Sequence, residues 1–92
     1  MNYLNQEFDA GPDDVVEITL DGQANVMLLD PINYEHYRNR EPFKYYGGLA
    51  RYTPMRIVPP HPGKWHVVVD LGGSAGSVRA EMLLLRGAMI AR

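Results

Sequence analysis

Hydrophobic and polar positions alternate with a period of two along most of this chain. Over Val15–Leu20, Val16, Ile18 and Leu20 fall on one face and Val15, Glu17 and Thr19 on the other, the pattern of a strand with one side buried. Asp21-Gly22 then marks a turn, and the run Ala24–Leu29 follows so closely that the two read as an antiparallel hairpin. Residues 2–8 form a further strand candidate, closed by the turn residues Gly11-Pro12-Asp13. Asp30-Pro31 predicts a short helix or turn over 31–37, because an Asp side chain accepts hydrogen bonds from the first free amides of a helix and Pro suits its first position. Apolar runs at 43–46 and 55–58 read as brief strands, the first broken by Gly47-Gly48 and the second halted by Pro59-Pro60.

Residues 65–71 set Trp65, Val67, Val69 and Leu71 on one face and His66, Val68 and Asp70 on the other, which fits a central strand and makes Trp65 a core residue rather than a ligand platform. The stretch 80–86 holds good helix formers, yet Val78, Ala80, Met82 and Leu84 alternate. A strand hairpinned to the Trp65 strand across the small-residue loop 72–77 completes the sheet more simply than a lone helix. Six or seven short strands with one short helix or turn near 31–37 predict an all-β, mainly antiparallel fold, a small β-sandwich or barrel.

The 92 residues are enough for one domain, placed at 1–86 with a C-terminal tail at 87–92, and too few for a cofactor domain plus a substrate domain. No stretch of about 20 apolar residues is present to span a bilayer. With no Cys, disulfides, thiolate nucleophiles and thiolate metal sites are excluded together. The opening residues lack the basic start and apolar stretch of a secretory signal, so a cytoplasmic location is the expectation. Charge is distributed unevenly. Residues 1–30 carry seven acids and no Lys or Arg, whereas the rest carry four acids and nine bases, giving −7 and then +5.

The basic half contains the candidate site. Tyr34, Tyr37, Tyr45, Tyr46 and Tyr52, with Phe43, interleave with Arg38, Arg40, Lys44 and Arg51. Such a mixture can stack on a sugar ring or base while cations neutralise an anion. The plainer reading is that these rings cover one end of a small sheet, and Tyr with Arg also marks dimer contacts. Gly47 and Gly48, inside the segment, allow close backbone approach to a ligand or simply a tight turn. The glycine loop at 72–77 lacks both the Lys-Ser/Thr of a P-loop and the dinucleotide fingerprint, so it reads as a flexible connection.

Catalytic geometry is missing from the spacing. His66 and Asp70 share a strand face but stand about 13 Å apart, too far for a direct dyad. His36 and His61 have no close ligand-spaced partners, so no metal site is predicted, and Ser74 and Ser77 lack a nucleophile-elbow context. No cofactor and no enzymatic activity are predicted.

The runs Asn33-Tyr34-Glu35-His36-Tyr37, Tyr45-Tyr46-Gly47-Gly48 and Trp65-His66-Val67-Val68-Val69-Asp70-Leu71-Gly72-Gly73, the last preceded by Pro62-Gly63-Lys64, resemble those of a bacterial family catalogued as domain of unknown function 1883. The likeness covers nearly the whole chain. It implies a small β-rich domain, sometimes found beside Toll/interleukin-receptor-type domains, with no established catalytic residues to carry over. The leading expectation is therefore a non-catalytic β module that recognises a small anionic or sugar-like ligand, or a protein partner, through residues 34–52. A structural or self-associating domain, including a homodimer, is the alternative. Nucleic-acid binding is weaker, since a pI near 5.8 argues against it.

Overall fold

A computed structural model describes residues 3–71 and 78–87. Seven antiparallel strands and one helix follow in the order β1 (Tyr3–Ala10), β2 (Val15–Leu20), β3 (Ala24–Leu29), α1 (Pro31–Arg38), β4 (Tyr46–Ala50), β5 (Met55–Ile57), β6 (Gly63–Asp70) and β7 (Ala80–Leu85). They form two sheets, one ordered β1-β6-β3-β4 and the other β5-β2-β7. The sheets are not closed into a barrel, so the fold is sandwich-like, as the alternation predicts.

Two apolar layers hold it together. The first lies between the sheets, where Val16, Ile18 and Leu20 of β2 meet Ala24, Val26 and Leu28 of β3 and Trp65, Val67 and Val69 of β6. The second lies on the opposite face of the larger sheet, where Met27, Leu29 and Val68 are covered by Tyr37 of α1 with Tyr3, Tyr34 and Phe43 around them. β3 and β6 are thus buried on both faces, which explains their nearly continuous apolar runs. Asp30 caps α1 as expected, its Oδ1 accepting from the Asn33 amide at 2.8 Å, and Pro31 opens the helix.

Three sequence expectations are corrected. β2 and β3 do not form a hairpin, because they belong to different sheets. Asp21 instead prolongs the β2–β7 ladder: its amide donates to Arg79 O (3.1 Å) and its Oδ1 accepts from the Arg79 amide (2.7 Å). Folding β2 over β3 face to face buries the inward apolar set of each strand against the other, which edge pairing cannot do. For the same reason β7 pairs with β2, from Val15↔Leu85 to Leu20↔Ala80, and not with β6. The loop 72–77 between them and the tail beyond Gly87 lie outside the described residues. Finally, Gly47-Gly48 does not interrupt a strand at 43–46 but sits inside β4, with φ of 123° and 151°. A Cβ on Gly47 would come within 2.2 Å of Val26 O, so the glycine permits β4 to lie against β3.

Candidate functional site

The helix-side face of the larger sheet gathers an aromatic and polar cluster from three distant parts of the chain. α1 contributes Tyr34 and Tyr37, one turn apart, both turned toward the sheet. β1 contributes Tyr3, whose hydroxyl lies 3.0 Å from that of Tyr34 and whose ring meets those of Tyr34 and Tyr37 edge-on at 6.3 and 5.1 Å. β6 contributes His66 and Asp70. The Tyr37 hydroxyl donates to Asp70 Oδ2. The Tyr34 ring stacks on His66 at 4.0 Å and 9°. Phe43, in the loop after α1, closes the cluster edge-on against Tyr37.

These groups are tuned by burial. The Tyr34 phenol is pushed up to about 12, by burial first and then by its bond with Tyr3. Burial, reinforced by the bond to Asp70, raises Tyr37 further still. Both are therefore neutral hydroxyls at any working pH. His66, buried among these rings, has its pKa lowered by desolvation against the opposing pull of Glu7. Its Nδ1 lies 3.2 Å from Asn5 Oδ1 and its Nε2 3.5 Å from Glu7 Oε2.

A recess of about 190 Å³ opens beside this cluster, lined by Tyr3, Tyr37, Arg38 and Arg40. Arg38 is positioned from two sides, its Nη1 3.0 Å from Glu35 Oε2 and its guanidinium carbon 5.9 Å from the Tyr34 ring centre. Arg40 makes no ion pair among the described residues. Its backbone is the one non-glycine with positive φ there, at 59°. Asn39 is the C-cap of α1, the Arg40 amide donates to Tyr37 O (3.2 Å) and the Glu41 amide to His36 O (2.9 Å). That pair of bonds is a Schellman motif, with arginine at the left-handed position that glycine usually occupies. His36 Nδ1 lies 3.0 Å from Glu41 Oε1 across the same turn.

Of the residues singled out by sequence, Tyr34, Tyr37, Arg38 and Arg40 thus come together. Lys44 and Tyr45 stand nearby, the Lys44 amide donating to Asn33 Oδ1 at 2.8 Å and the Tyr45 ring tilted against Phe43 at 5.7 Å. Tyr46 turns away, its ring 6.1 Å from that of Trp65 across the inner face, and Gly47 and Gly48 follow it along β4. Arg51 and Tyr52 lie past the far end of β4. Tyr46 is paired with Leu28 and Ala50 with Ala24, four residues or about 13 Å along the ladder. Tyr3, His66 and Asp70 are the cluster members that the segment 34–52 did not contain. The signal for the last two was present, since they share the second face of a strand whose first face is already core. Tyr3 carried no such signal.

Among the described residues, no three His, Asp or Glu side chains gather as a metal site would require, and no helix is long and apolar enough to cross a membrane. In comparison with known proteins, residues 1–87 match the model of a family described only as a domain of unknown function, and no curated protein and no solved structure matches the chain.

Proposed function

The chain belongs to the DUF1883 family, and from that premise we propose a non-catalytic recognition module whose helix-side recess receives a single anionic group, a carboxylate or a phosphate. The observation that carries the reading is Arg40. A long charged side chain occupies a backbone position where glycine costs least, it has no ion-pair partner among the described residues, and it lines the recess together with Arg38. Two guanidinium groups in one small opening suit a forked oxyanion, to which arginine donates in parallel pairs. About 190 Å³ suits one such group and little beyond it.

A non-catalytic role is supported by the way His66, the one imidazole buried among the described residues, is used. His66 is covered by the Tyr34 ring and engaged with Asn5 and Glu7, so it braces the sheet face rather than facing an opening. The test is an amide-shift titration of the labelled protein with inorganic phosphate and with acetate. Shifts should concentrate on Tyr3, Tyr37, Arg38 and Arg40, vanish in an Arg38→Gln/Arg40→Gln double variant, and persist in Arg51→Gln. An unchanged response in the double variant would overturn the reading.

A further inference from the structure

The four sheet edges are not equally protected. β5 is three residues long and stands between Pro54 and Pro59, and β4 carries two glycines at positive φ. β7 is bracketed by Arg79 and Arg86. β1 is eight residues long, contains no Pro, Gly or Lys, and pairs on one side only, with β6. Proteins usually blunt such an edge, because its unpaired N–H and C=O groups invite another strand. Arg86 Nη1 donates to Asp9 O (3.0 Å) at one end, occupying one of that carbonyl's two acceptor positions, and residues 3–8 are uncovered by other described residues. Leu4, on the inner face of this edge, is 43% exposed.

Charge along β1 is polarised. Tyr3, Asn5, Glu7 and Asp9 share the helix-side face, since their partners on β6 are Asp70, Val68, His66 and Lys64. The Tyr3 end opens on the arginine-lined recess, while the other end presents Glu7 and the exposed Asp9. We infer that the partner of this recess is a second copy of the chain, joined through antiparallel β1–β1 pairing about a two-fold axis at Gln6. This rests on the reading of the recess as an acceptor of one anionic group. In that register Asn5 faces the partner's Glu7, Leu4 faces the partner's Phe8, and Asp9 faces the partner's Tyr3. Directly opposed side chains on one face stand about 5 Å apart, so each Asp9 carboxylate is delivered to the recess of the other copy. Pairing about Glu7 would set like charges against each other, and pairing about Asn5 would shorten the ladder. The two four-stranded sheets become one of eight strands, and Leu4 is covered.

Light scattering on the full chain, up to high micromolar concentration, should give twice the 10.4 kDa chain mass, with dissociation favoured by salt. Asp9→Lys and Arg40→Glu should each be monomeric, because each sets like charges together at both ends. Mixed in equal amounts they should recover the dimer, since the introduced lysine then meets the introduced glutamate at one end and native Asp9 meets native Arg40 at the other. A wild type that stays monomeric, or two variants that stay dimeric alone, or a mixture that does not recover, would overturn the inference. Phosphate titration of the Asp9→Lys protein separates this from the reading of the recess. Phosphate bound by a persistently dimeric Asp9→Lys overturns the β1 dimer and leaves the recess standing. A charge-rescued dimer whose monomers ignore phosphate supports the pairing and removes the recess as a site for a free anion.

Discussion

Replacing Arg40 by Gly and, separately, by Ala isolates the backbone strain at the end of α1. Both changes remove the guanidinium, and they differ by one methyl group at a residue with φ of 59°. A left-handed conformation costs a residue bearing a Cβ about 1–2 kcal/mol. Glycine gives back about 0.5–1 kcal/mol through the greater freedom of its unfolded chain. Gly should therefore exceed Ala by about 0.5–1 kcal/mol, since the exposed side chain has no packing to lose in either case. For a chain of this length that separates the two melting temperatures by about 5 °C, measurable by circular dichroism or calorimetry. Both variants should respond to phosphate equally weakly, so stability and recognition move independently. An Ala variant as stable as the Gly variant would refute the claim that strain is retained here, and with it the main support for a functional Arg40.

Three further outcomes follow from the fold. Trp65→Ala removes the largest buried side chain, 1% exposed, together with its Nε1 bond to His61 O (3.1 Å), and should cost about 3–5 kcal/mol in urea unfolding; a loss below about 1 kcal/mol would show that Trp65 is not core. Gly47→Ala should destabilise by more than about 2 kcal/mol, because its Cβ would collide with Val26 O at 2.2 Å, whereas Gly48→Ala, which meets no atom within 4 Å, should be milder; equal effects would refute the close-approach argument. Folding lowers the pKa of His66 below its ordinary 6.5, so the unfolded chain takes the proton first as pH falls. The His66 contribution is therefore complete above about 6.5 and is lost progressively below it, and a His66→Gln variant should show a flatter fall in urea midpoint between about pH 7.5 and about pH 5.5; an identical fall in both proteins would exclude His66 as the cause.

Most strands were legible in the sequence because they carry their own period, β4 excepted because its Gly47-Gly48 reads as a break, and the helix was legible because Asp30-Pro31 announces it. Partnership was not. Asp21-Gly22 looks like a hairpin turn when only β2 and β3 are compared, and nothing local records that Asp21 is engaged by Arg79 from the other end of the chain. A hint existed in the contrast between β2, polar on part of one face, and β3, whose consecutive Val26-Met27-Leu28-Leu29 needs cover on both sides. Two such strands belong in different surroundings. The candidate site was half legible. Helical spacing puts Tyr34 and Tyr37 together, but β4 carries Arg51 and Tyr52 away along the sheet, and composition in a segment says nothing of that direction. The left-handed turn at Arg40 was hidden because the residue that normally signals it, glycine, is absent.

The interleaving of the two sheets also dictates how the chain acquires its structure. Phe8 waits for Trp65, and Val15 waits for Leu85 although β5 reaches the neighbouring Val16 sooner, so each amino-terminal strand completes its pairing only in the last third of the sequence. β3 and β4, joined through α1, are the pair that can form from neighbouring chain. During synthesis β1 emerges from the ribosome with no ladder to join and β2 with only the three-residue β5 ahead of its main partner, and neither sheet can be finished before the other has nearly closed. Such a high proportion of remote pairings makes for slow folding in a single cooperative step. It also leaves β1, the least guarded strand, exposed for longest to copies of itself on neighbouring nascent chains.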